Sequence, residues 1–549
     1  MRICRSWTLM TNTFIYALTT EERIKTLREK YMFLETDKIF LDRWHNIRGL
    51  SSIVDLEVLL ESRNMTLDEF AYAIKPFSKM DEKILEKSLD EHVWYNEMDR
   101  ALNDYFMDNN ELEQPLSLDI SYVVRPFLHD FSVFFEVLKN KLNHEGLQMT
   151  NDAVMKIMQH VMVMLGSLAI KVVSTELNVL KNDSNADKIG EAYLKEKYGT
   201  QELLKQFYAE YPVMTRLIVE KLMTAKDFIK KAFLTLTEHS EEINEKLNIV
   251  ITGNIIMDIE FSVDALHGVD KGNVIYTFRD NQKMVYKSRN LEIEQCFYKF
   301  ISWINCQRKG HPELLDLPTS DAFYQENFTL SPFIENCVLE SKNETKDYYK
   351  RLGQLSVILH LLGAHQFNYE SILINQGMPY IDSETLFQLE VPLLVANDEM
   401  KNADLRPSQP LGNDEHIVEV SWGDDFKQGL GAMSDFILNN RDQVALKIKE
   451  CFTSKIKVRQ HLKETVHYLN LLQFINHPNY LKDMFYLEKL LDNALAYPYK
   501  DKRVCVYEID SMRQGNAPSF YTDLGSKDVI TSCSKRITDY FEEIPLEVV

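Results

Sequence analysis

The chain has no uninterrupted apolar run of the roughly 18 residues that a membrane-spanning helix needs, so no such span is expected. Its seven cysteines, at 4, 296, 306, 337, 451, 505 and 533, contain no CxxC and no Cys/His cluster. That excludes zinc and a disulfide framework as expectations, and a reducing compartment fits. Positive charge is in deficit: 62 Lys and Arg face 83 Asp and Glu, a net charge of -21, and no dense basic stripe offsets it. Nucleic acid and anionic membranes are therefore excluded as main partners. Internal repeats and low-complexity tracts are lacking as well. The N-terminal MRICRSWTLMTNTFIYAL starts like a signal peptide, but Thr11, Asn12 and Thr13 break its apolar run, so the expected location is cytoplasmic.

What is present describes a globular protein. Of 549 residues 45% are hydrophobic and 26% charged, enough for a large core divided among two to four domains. From 1 to about 245 the pattern is helical and glycine is scarce: TTEERIKTLREKYMFLETDKIFLDRW, VMVMLGSLAIKVVSTELNVL and EYPVMTRLIVEKLMTAKDFIKKAFLTL repeat apolar residues every three or four positions. The acidic DRALNDYFMDNNELEQP reads as a solvated linker or surface loop.

From 246 to 549 the texture becomes mixed. IVITGNIIMDIEFSVDALHG and GNVIYTFRDNQKMVYKSR alternate β-branched and aromatic residues about a polar RDNQ turn, which predicts a hairpin with Lys287 at the end of its second strand. LEIEQCFYKFISWINCQ and YYKRLGQLSVILHLLGA predict helices. The polar HQFNYES then precedes YIDSETLF, where Asp382 and Glu384 are two residues apart and would share one face of an extended segment. The rest reads as helical through IKVRQHLKETVHYLNLLQFI, with QGNAPSFYTDLGSKD as a loop. Hairpin with lysine, helix, long helix, polar loop and a strand with two carboxylates is the order of parts in a kinase-like fold, hence an α+β class.

Eight phrases occur in register: STELNVL, AEYPVMTRL, VYKSRNLEIE, LLGAHQFNYES, YIDSETLFQ, KVRQHLKETVHYL, HPNYLKD and GNAPSF. Together they resemble the N-terminal dehydratase domain of LanM, the class II lanthipeptide synthetases. The resemblance implies a lipid-kinase-like catalytic fold over 246–549, with a mixed-sheet N-lobe, a helical C-lobe and a helical activation domain, preceded by the helical region at 1–245. It implies ATP-dependent phosphorylation of Ser or Thr in a precursor peptide, followed by elimination of phosphate. Neither the length nor the Cys/His pattern of the family's zinc-bearing cyclase domain is expected in this chain.

Carried over residue by residue, Lys287 matches the lysine on the nucleotide phosphates, Glu384 a phosphate-site acid and Asp382 a magnesium ligand, so ATP and magnesium are what the resemblance implies. The catalytic loop departs from the pattern. Gln366 stands for the family aspartate, Asn368 for its histidine and Ser371 for its asparagine. An amide accepts no proton at neutral pH, and a serine is a shorter metal ligand than asparagine. Phosphorylation is thereby expected to be impaired, while ATP binding stays open. For elimination the resemblance points to Arg459 and Thr465, six residues apart, and to His267 with Asp264 beside it. Three readings stay open: an eliminase acting on phosphopeptide, a non-catalytic subunit that binds precursor peptide or a partner synthetase, and a kinase of another substrate. A separate cyclase is a further implied partner.

Overall fold

A computed structural model describes residues 13–28, 39–41, 44, 53–107, 121–181, 198–262, 272–364, 372–381, 415–453, 455–460, 462–463, 465–496 and 501–541. The chain is α+β and divides into two compact units, each discontinuous in sequence. The first comprises Met1–Glu238, Thr252–Gly272 and Lys463–Pro518; the second comprises His239–Ile251, Asn273–Leu462 and Ser519–Val549.

The first unit is mainly helical. Helices Ser121–His144, Asn151–Lys181 and Pro212–Glu238 pack on one another, burying Phe127, Phe131, Val161, Leu165, Ile218 and Phe233. This follows from the three- and four-residue apolar spacing read in the sequence. The stretch Asn151–Glu176 has the length and mean hydropathy, 1.6, of a membrane span; Ile157, Val161 and Leu165 are buried, while Met155, Val163 and Ile170 are exposed. The acidic segment expected as a linker is helical through its first half, within Val93–Met107, because Met98, Ala101, Leu102 and Tyr105 form a buried stripe that overrides its charge. Two strand segments, Gln148–Met149 and Ile255–Ser262, pair in parallel.

Charge in this unit is buried and answered. Arg63 lies 2.6 Å from Asp492, which also accepts from Trp44 Nε1 at 2.8 Å. Arg513 reaches Glu488 at 2.6 Å and Glu21 at 3.0 Å, and Thr20 Oγ1 donates to Glu488 at 2.6 Å. Burial alone would raise the Glu21 carboxyl; Arg513 and Arg63 outweigh it and bring it down to about 2. Glu508, fully buried, is held by Lys463 at 3.1 Å and by the Tyr468 hydroxyl.

Among its described residues the second unit carries three antiparallel sheets. In the first, Asn273–Phe278 pairs with Lys283–Lys287, which pairs with Thr329–Pro332, itself paired with Phe323–Tyr324. The expected hairpin is present: Phe278 N–H donates to Gln282 O across the turn, where Asn281 takes φ +63°. Side chains alternate, so Val274, Tyr276 and Phe278 enter the core with Met284 and Tyr286. The second sheet runs Lys457–Gln460, Phe520–Asp523, Val529–Thr531, Arg536–Ile537, and the third is the hairpin Ile372–Asn375 with Met378–Ile381.

Two features here differ from the sequence reading. Residues 457–460, expected as helix, form a strand, and 520–523, expected as loop, form its partner. A four-residue alternation with one buried residue, Val458, gains stability only from a partner some sixty positions away, which no local pattern reveals.

Helices Glu292–Gln307 and Lys342–Leu361 form where expected and supply much of the core, with Phe297, Phe300, Ile301, Tyr348, Leu355 and Ile358 buried. The second of these meets helix Glu415–Asn439 almost backbone to backbone. A Cβ on Gly353 would strike Phe426 O and stand 2.8 Å from Leu430 N; one on Gly429 would strike Lys350 O and stand 2.8 Å from Lys350 Cα. Only hydrogen fits at either position.

Candidate functional site

Lys287 closes strand Lys283–Lys287, where its neighbours across the sheet are Asn273 and Thr329. Its ammonium lies 3.4 Å from Glu294 Oε2 on the first turn of helix Glu292–Gln307. Glu294 is buried among Ile293, Phe297 and Ile301, a costly place for a carboxylate unless it is paired. Tyr324 completes the pairing by donating its hydroxyl to Glu294 Oε1 at 3.0 Å. Burial, reinforced by that carboxylate, pushes the Tyr324 phenol well above its ordinary value, so it stays a donor across the physiological range. A lysine on a sheet strand, fixed by a glutamate from the following helix, is the arrangement kinases use to hold nucleotide phosphates.

Glu294 was missed in the sequence reading. One signal pointed to it: an acidic residue falling on the apolar stripe of a helix seven positions after the strand lysine.

Next to this pair the second unit has an open cleft of about 650 Å³, within the size range of ligand sites. Its cationic lining comes from Arg289, two residues past Lys287, and from Lys455 and Lys457; Glu292 and Glu326 are its carboxylates. Asn290, Gln295, Gln325 and Asn327 add amides, and Tyr324, Tyr521, Thr531, Ser532 and Ser534 add hydroxyls. Arg289 is oriented by a hydrogen bond from its Nη1 to Asn273 Oδ1 at 2.9 Å.

Arg459 is half-buried on strand Lys457–Gln460 and lies opposite Tyr521, a residue of the cleft lining. Strand alternation puts Arg459 on the same face as Lys457, while Val458 between them is fully buried on the other. The lining itself includes Arg289, two residues past Lys287, and Lys457, on the strand of Arg459, but neither Lys287 nor Arg459. Such a surface offers several cations and many neutral donors to a ligand carrying a phosphate and peptide-like polar groups.

Thr465 opens helix Thr465–Ile475 in the first unit, whereas Arg459 belongs to the second. His267, Asp264, Gln366, Asn368, Ser371, Asp382 and Glu384 lie outside the described residues. Among the described residues no group of three or more His, Cys, Asp or Glu side chains gathers as a metal site, and Cys296, Cys306, Cys337, Cys451, Cys505 and Cys533 are free thiols. Burial pushes the Cys296 and Cys505 thiols up to about 12, far from a reactive thiolate.

No curated protein matches the chain. A family model described as a domain of unknown function, DUF4135, matches residues 211–409 and 394–523, more than half of its length. The chain belongs to that DUF4135 family, one known in lanthipeptide synthetase-like proteins.

Proposed function

We propose that this protein is a LanM dehydratase-like component of lanthipeptide biosynthesis that eliminates phosphate from a phosphorylated Ser or Thr of a precursor peptide. The observation that carries the reading is the Lys287–Glu294 pair beside a cleft whose cations include Lys457, on the same strand face as Arg459. Family membership supports the pathway, and the substituted loop at 366, 368 and 371 favours elimination over phosphorylation.

In the proposed reaction Arg459, Lys457 and Arg289 hold the phosphate dianion. A base removes the Cα proton, the electron pair forms the Cα–Cβ double bond, and the Cβ–O bond breaks so that phosphate departs with its bonding electrons. The cations stabilise the charge that grows on the leaving oxygen. The family resemblance further proposes His267, with Asp264 beside it, as a base and Thr465 as a donor for elimination. Lys287, steadied by Glu294, fits a nucleotide phosphate, and Asp382 and Glu384 would hold magnesium and phosphate; ATP bound there would supply a phosphoryl group.

The test is incubation of the purified chain with a phosphoserine peptide taken from a Ser-, Thr- and Cys-rich precursor encoded beside it. Mass spectrometry is expected to record loss of phosphoric acid. An unchanged peptide mass with folded protein would sink the proposal.

A second reading has its own support in the amides of Asn290, Gln325 and Asn327, which suit a peptide backbone held without chemistry. As a non-catalytic subunit the protein would deliver the precursor to a partner synthetase or a separate cyclase. Peptide binding that survives both Arg459→Ala and Lys287→Ala would favour that role.

A further inference from the structure

We infer that a second cleft in the mixed α+β unit, walled by Lys246, Lys299 and Lys447, binds a small phosphate-bearing anion of about nucleotide size. The three lysines come from three helices, Ser240–Leu247, Glu292–Gln307 and Arg441–Cys451, and converge on a space of about 760 Å³. The Thr319 and Ser320 hydroxyls lie on the same lining.

Convergence of like charge is unfavourable unless something answers it. Lys447 is answered by Glu450 at 3.0 Å, whereas Lys246 and Lys299 make no ion pair among the described residues; Lys246 instead rests over the Phe323 ring at 5.4 Å. Asp321 is the remaining carboxylate of the lining. In a chain with net charge -21, general attraction for anions is absent, so affinity for one must be local. Ammonium groups on flexible stems, with hydroxyl donors between them, suit the compact charge of a phosphate group. The volume admits a molecule of nucleotide size and not a folded partner.

The position of this cleft gives its occupancy a consequence. Gln295 and Tyr324 line both this space and the cleft at Lys457, and the Tyr324 hydroxyl is bonded to Glu294. A ligand among the lysines presses on the wall that steadies Lys287. That consequence rests on the function proposed above; binding itself does not.

Hydrogen–deuterium exchange of the full chain with inorganic pyrophosphate as probe reads the site without peptide. Protection is expected over 292–302, 319–324 and 441–451. It should weaken at least tenfold in Lys299→Gln/Lys447→Gln, whose solvent-facing side chains allow the fold to be checked by circular dichroism, and in the single variant Lys246→Gln. Lys457→Gln should leave the protection of 441–451 unchanged. Protection confined to 455–460 and 529–534, survival in the double variant, or no protection up to about 5 mM pyrophosphate overturns the inference. Each of these results is independent of the phosphopeptide assay, which reads the other cleft.

Discussion

The two units handle charge in opposite ways. In the helical unit Arg63, Asp492 and Glu488 are sealed from water; Arg63 pairs with Asp492 and Arg513 with Glu488, each at 2.6 Å, as Lys463 does with the buried Glu508 at 3.1 Å. In the mixed unit Lys455 and Lys457 are exposed and Arg289 half-buried in the lining of an open cleft, and Arg459 is half-buried on the strand of Lys457. Buried, paired charges fix a fold at the expense of desolvation; accessible ones keep part of their field for a ligand. The same residue types therefore carry structural meaning in one unit and chemical meaning in the other.

The sharpest way to break this contrast is substitution of Arg63. Arg63→Leu leaves Asp492 buried without its counter-ion and is expected to cost about 3–5 kcal/mol, read from urea unfolding. Lys457→Gln in the same assay is expected to stay within about 0.5 kcal/mol of the parent. Comparable losses from both would erase the distinction. At the cleft, Arg459→Ala should lower phosphate elimination on the order of a hundredfold, the scale of removing one charge-stabilising donor, measured by single-turnover mass spectrometry. An undiminished rate would move the reaction elsewhere.

Gly429→Ala asks whether the mixed unit draws its rigidity from packing. A methyl forced against Lys350 O is expected to cost about 1–3 kcal/mol, seen as a lowered Tm. A neutral result would mean that the two helices can part without penalty.

The smallest effect concerns pH in the helical unit. His160 stacks on Phe261 with ring centroids 4.2 Å apart, and burial brings its imidazole down to about 4. The unfolded chain takes up this proton near pH 6.5, whereas the folded one resists until about 4, so stability from this residue is complete above 6.5 and declines as pH falls toward 4. His160→Gln should flatten that part of the stability profile by about 1 kcal/mol once partial exposure is discounted. A profile unchanged between pH 4 and 6.5 would show that solvent reaches the ring.

Much of the frame was legible because local signals agreed. The RDNQ turn, the apolar spacing of 292–307 and 342–361, and Lys287 at its strand end required no distant partner. Arg459 was singled out by the family resemblance while its backbone was misread, since KVRQ becomes a strand only through FYTD, some sixty residues on. Glu294 left only the trace of an acid on an apolar helix stripe; its partners, Lys287 and Tyr324, are brought to it by the sheet. The return of 463–518 to the helical unit is likewise a matter of long-range burial, carried by groups such as Asp492 and Glu508.

The crossing at Gly353 and Gly429 bears on what the chain can become. With no side chain between them, the two helices leave those positions almost no room to vary, and the restriction concerns shape rather than reactivity. The helix that ends at Leu361, five residues before Gln366, is held by a contact that does not depend on the residue types at 366, 368 and 371. The constraint of the crossing and the chemistry of positions 366, 368 and 371 thus fall on separate residues. Substitution at those three positions leaves the Gly353–Gly429 contact as it stands.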